Sequence, residues 1–174
     1  MNQVSEIRTS WRSLAGCLGT GVLVISAIVI LVVFFAKRSD ESLSRIDGEF
    51  LQPWFRAMRD GEFGSAWASL TTEGYRADNP EEAVAATYDE AIRRFGPPVK
   101  ASAYGHTGTK EPGSPYLLRT GTRWEWENGV VLHLVFHLVD LPGQGFRLQR
   151  AGLGELTRTT GGYHPPQGTP EGPW

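Results

Sequence analysis

The residues in this chain best suited to chemistry are two histidines and two arginines in one stretch: Arg119, Arg123, His133 and His137. On a helix, His133 and His137 would share a face and hold a metal together. On a strand they stand roughly 13 Å apart, beyond the reach of one ion. Their surroundings alternate with period two, so the strand reading holds and no metal or other cofactor is expected. The four side chains then decorate one face of a sheet, either solvated or in contact with a partner. A second set, Thr122, Trp124, Trp126 and Phe136, falls on the opposite face. It either lines a pocket for a small apolar ligand or simply fills a core.

The remaining candidates point to structure. Asp78, Glu81, Glu82, Asp89 and Glu90 suit helix capping and solvated helix faces. The glycine patterns at 143–145 and 152–154 lack the strand-to-helix setting that a phosphate loop needs. Cys17 is the only cysteine, so neither a disulfide nor a thiolate site is available to the rest of the chain. The formal charge is −2. Beyond residue 36 there are 15 basic against 18 acidic residues, a balance that offers nucleic acid no basic footprint. No set of residues combines a nucleophile, a base and an orienting group, and a non-enzyme is expected.

These residues depend on elements that can be read from periodicity. Residues 14–36 carry no charge, and as a helix they would extend roughly 34 Å, against a hydrocarbon core of about 30 Å. Trp11 and Arg12 flank one end and Lys37 and Arg38 the other, suiting a single-pass transmembrane helix after a short polar tail at 1–13. Leu14-Ala15-Gly16-Cys17 has the letters of a lipobox, but the apolar stretch follows the cysteine instead of preceding it. Phe34 at the −3 position disfavours cleavage after Ala36. The helix is therefore expected to stay attached as a signal anchor in the lipid bilayer of the cell membrane. The pairs Ala15/Gly19 and Gly16/Thr20 would let another membrane helix approach closely. Lys37, Arg38 and Arg45 slightly favour a cytoplasmic domain by charge count. The basic start followed by an apolar run favours an extracytoplasmic one, which is the orientation expected here.

Residues 40–156 are expected to form one α+β domain. Helical spacing covers 40–60, with a kink near Gln52 and a stop at Gly61, and a short helix follows at 62–70. A third helix should have Asn79 as N-cap, Pro80 in its first turn and Gly96 as its end. Strands are expected at 99–104, 116–126, 130–139 and 146–156, with a loop over 105–115. A three-residue loop with left-handed Gly129 would set Leu118, Thr120, Thr122, Trp124 and Trp126 beside Val130, Leu132, Leu134, Phe136 and Leu138. This separates apolar from polar better than a two-residue Asn-Gly turn. The architecture expected is about three helices on a curved antiparallel sheet of about four strands. From residue 157 on, eight of eighteen residues are Gly or Pro, and disorder is expected there.

The run FLQPWFRAMRDGEFGSAWASLTTEGY at 50–75 resembles the opening helices of the nuclear transport factor-like (cystatin-like, cone-shaped) superfamily. Arg59-Asp60-Gly61-Glu62-Phe63 and Ala66-Trp67 carry the likeness, which is similar in style to small membrane-anchored bacterial members of unknown function. It implies a third helix followed by a strongly bent antiparallel sheet. Enzymes of that superfamily place carboxylates or histidines inside the cone. The inward residues here are Trp, Leu, Thr and Phe, a departure from the enzymatic pattern. The resulting expectation is a membrane-anchored, non-catalytic interaction or assembly module, with binding of a small apolar ligand in the cone as the alternative.

Overall fold

A computed structural model describes the backbone of residues 3–110, 114–154 and 163–174, with side chains from residue 24 onward. Two units are distinguished, residues 1–42 and residues 43–174. Helix α1 runs Gln3–Ile46. The ten large apolar side chains between Val24 and Phe35 are each 53–68% exposed, on all sides of the helix. Among the described residues no helix is long and apolar enough to cross a membrane. The first part of the expected span at 14–36, including Ala15, Gly16, Gly19 and Thr20, lies outside the residues with described side chains.

In the second unit, a π-helical turn at Asp47–Leu51 joins α1 to α2, Gln52–Asp60. Pro53 has no N–H to offer the Glu49 carbonyl, and its ring would crowd that oxygen in a regular helix. The widened turn relieves both, with the Gln52 N–H bonding to Asp47 O. The expected kink is thus a π-turn placed just ahead of the proline. Gly61 ends α2 in a left-handed conformation at φ 75°.

Helix α3 spans Phe63–Leu70, and a short α4, Glu73–Asp78, follows where sequence periodicity shows no helix. Thr72 caps α4 by accepting from the Tyr75 N–H at 3.2 Å. Helix α5, Glu81–Phe95, begins after Pro80, which occupies the N-cap position expected for Asn79. Asn79 instead closes α4, its Nδ2 donating to the Tyr75 carbonyl at 3.0 Å.

Four antiparallel strands complete the unit in the order β1-β2-β3-β4: Pro98–Thr109, Tyr116–Trp126, Val131–Leu141 and Gly145–Leu153. Strand β1 runs through much of the stretch expected as a loop. Gly105 and Gly108 weaken the sequence signal for a strand, yet both continue the pairing with β2. The end of the Tyr116 ring lies where a Cβ on Gly108 would stand, so the glycine lets the ring lie over the strand. The β2–β3 register agrees with the expected separation of faces: Leu118 opposes Leu138, Thr120 opposes Phe136, Thr122 opposes Leu134 and Trp124 opposes Leu132. Gly129, at φ 84°, supplies the left-handed residue of the turn, and its N–H bonds to Trp126 O at 2.8 Å.

The helices cover the apolar sheet face, giving an α+β domain with helices packed against a four-stranded antiparallel sheet. Phe50 contacts Phe136 edge-on at 5.4 Å and stacks on Trp54 at 5.8 Å. Trp54 donates its indole N–H to the Tyr88 hydroxyl at 3.1 Å, satisfying a polar group that burial would otherwise strand. Residues 163–174 differ from the disorder expected of the tail, whose earlier part at 157–162 lies outside the described residues. Arg94 Nη1 donates to Gly168 O at 2.8 Å, and Trp174 is buried against Tyr88. A terminal apolar ring with a fitting slot orders a Gly/Pro-rich segment that composition alone marks as unstructured.

Candidate functional site

Sheet pairing decides which candidate residues share a site. On the face turned away from the helices, Arg119 of β2 opposes His137 of β3, and His137 opposes Arg150 of β4. Strict alternation from the buried Phe146 and Leu148 would send residue 150 to the core. A bulge between the His137 and Leu138 pairings shifts the register, so Arg150 faces outward with His137. The sequence reading missed Arg150 for this reason, since a bulge leaves no trace in period-two counting.

Arg119, His137 and Arg150 line one concavity of about 340 Å³ with Val135, Gly152 and Gly154, while Ala151 and Leu153 border it from strand β4 and oppose Phe136 and Leu134 of the core face. A second hollow of about 270 Å³ shares Arg119 and His137 and adds Thr107, Leu117 and Gln149. Among the described residues neither Arg119 nor Arg150 has a carboxylate partner. By contrast, Arg123 pairs with Glu125, and Arg45 with Glu49 and Asp140. His137 is half-buried, and burial holds its imidazole below the ordinary range, with Arg119 and Arg150 pushing the same way. The arrangement concentrates positive charge at one point of a protein whose net charge is negative.

The four residues expected on the partner face divide into two halves. Arg119 and His137 share the concavity. His133 lies between two tyrosine rings, Tyr104 at 5.6 Å and Tyr163 at 5.7 Å, and its main-chain N–H donates to the Tyr163 hydroxyl at 3.1 Å. Arg123, which opposes His133 across the strands, is held by Glu125. No sequence signal connects Tyr163 to His133, because the contact depends on where the chain goes after β4.

The second set, Thr122, Trp124, Trp126 and Phe136, lies on the helix-covered face at 0–1% exposure. Trp124 touches Phe55 and Tyr88 at 5.8 and 6.2 Å, and Trp126 meets Phe95 at 6.0 Å. Trp124 Nε1 donates to Thr122 Oγ1 at 3.1 Å, and that hydroxyl donates to Leu134 O at 3.1 Å. Rings and hydrogen bonds occupy the space between these residues. Among the described residues no group of three metal-binding side chains converges. Neither a protein-family model nor a curated protein matches the chain.

Proposed function

We propose that this chain is a single-pass membrane-anchored, non-catalytic interaction module whose contact surface is the outer sheet face. One observation carries the reading: one face of the sheet is roofed by its own helices, while the other bears the row Arg119–His137–Arg150 without acidic partners among the described residues. Paired charges are what a self-sufficient surface favours, and an unpaired cationic row at a concavity is complementary to something outside the chain.

The anchor is supported by the 24–35 stretch, whose apolar side chains are exposed around the whole helix, a surface that lipid accommodates and water does not. The signal-anchor pattern favours an extracytoplasmic domain, and the small-residue pairs at 15–20 favour a second membrane helix as neighbour. The resemblance at 50–75, with helices preceding an antiparallel sheet, supports kinship with the nuclear transport factor-like superfamily.

A photo-crosslinking residue at Leu117, exposed on the outer face, tests the reading in the full chain in a mild detergent. A defined partner recovered there, and absent with the crosslinker at Asp89 on α5, is the expected result. Uncrosslinked monomer at both positions across growth conditions overturns it. A topology reporter fused after Trp174 tests the orientation.

A further inference from the structure

We infer that Arg119, His137 and Arg150 form a binding site for a phosphomonoester group. This deepens the proposal that the outer face is the contact surface and names the chemistry read there. The three side chains come from three adjacent strands and stand in one row, so the arginines are rooted on either side of His137, with Cα atoms about 5 Å from its own. All three line the same concavity. Long guanidinium arms rooted on either side of a short imidazole can close on one ligand between them.

Charge selects the ligand class. Two arginines without carboxylate partners among the described residues bring two fixed positive charges, and like charges in one hollow repel until an anion enters. A phosphomonoester carries about −1.5 to −2 at neutral pH and three acceptor oxygens, enough to engage both guanidiniums. A carboxylate would neutralise only one of them. The imidazole between them adds a donor and gains a proton more readily once a dianion lies beside it.

Shape agrees. The hollow of about 340 Å³ is at the small end of ligand sites, and the Val135 side chain, on the same outer face, offers an apolar contact for the organic part of an ester. Gly152 lies on the same strand, and a Cβ built there meets no atom within 4 Å. The space above it is therefore available to a ligand. The bulge that turns Arg150 outward is the device by which strands commonly re-aim one side chain at a site.

The experiment uses the full chain in neutral-detergent micelles titrated with phenyl phosphate, and in phosphatidylcholine nanodiscs with and without phosphatidic acid. Isotope-labelled imidazole resonances report the proton occupancy of His137. Saturable binding of phenyl phosphate, or a shift that requires phosphatidic acid, is expected, with the His137 imidazole becoming more protonated on binding. The two arms separate a free phosphate ester from a lipid headgroup. Arg119→Gln and Arg150→Gln should each weaken binding about tenfold or more. Gly152→Phe, which grows into open space without a backbone conflict, should abolish it. Lys100→Gln, outside the hollow, should leave affinity within about twofold. The inference falls if neither phosphate ester binds saturably, or if the arginine and Gly152 variants bind as the parent does. A partner crosslinked at Leu117 without phosphate binding would sink this inference alone. Phosphate binding with no crosslinked partner would support it and sink the interaction reading instead.

Discussion

The Tyr75 hydroxyl donates a 2.7 Å hydrogen bond to the main-chain carbonyl of Trp174, 99 positions further along the chain. The Trp174 ring meets Tyr88 edge-on at 5.3 Å, and the chain reaches it by passing so close to Thr87 that a Cβ on Gly172 would overlap the threonine hydroxyl. The two tyrosines belong to different helices, so this segment ties α4 to α5. Trp174→Ala should destabilise the domain by about 1–3 kcal/mol through loss of a packed ring, measured by chemical denaturation of the full chain in detergent. Unchanged stability would mean that the tail only rests on the surface.

Two threonines on the inner face of β2 should respond oppositely to the same substitution. Thr122 accepts from Trp124 and donates to Leu134, whereas the Thr120 hydroxyl, equally buried, has no partner among the described residues. Thr122→Val strands a buried indole N–H and should cost about 1–3 kcal/mol. Thr120→Val removes a hydroxyl already stranded and should be neutral or stabilising by up to about 1 kcal/mol. Equal effects in paired denaturation curves would contradict the hydrogen-bond assignment.

Gly129 sets the register that brings Arg119 opposite His137. Its φ of 84° is a conformation that a Cβ disfavours by roughly 1–2 kcal/mol, so Gly129→Ala should destabilise by about that amount. Nothing lies within 4 Å of a Cβ there, which confines the effect to backbone strain. Asn128→Ala, which loses the side-chain acceptor for the Val130 N–H, should cost less. A Gly129→Ala variant as stable as its parent would argue for a different turn.

Acid should weaken the domain through its half-buried imidazoles. His106 opposes Thr120 on the inner face of β1, and burial lowers its folded value below the ordinary imidazole range. The unfolded chain then takes up the proton first. This contribution to stability is fully present above about pH 6.5 and is lost as pH falls through the lower folded value. His106→Gln should flatten the dependence of stability on pH between 7 and 5. An unaltered slope would assign the acid sensitivity elsewhere, His137 being the next group with the same sign.

Local pattern alone determined much of this protein. The charge-free run at 14–36, helices ending at Gly61 and Gly96, the strand reading of His133 and His137, and the separation of faces across Gly129 all follow from periodicity and turn chemistry, which act over a few residues. The sheet partners of β2 and β3 were legible because only one register keeps charged side chains off the core. What remained hidden depends on contacts distant in sequence. Arg150 joins His137 only through a bulge, and β1 runs on through Gly105 and Gly108 by pairing with β2. His133 is enclosed by Tyr163, and Trp174 enters a slot between helices. Each of these is settled by which surface a segment meets after the chain has folded back, and no pattern of neighbours along the chain encodes that meeting.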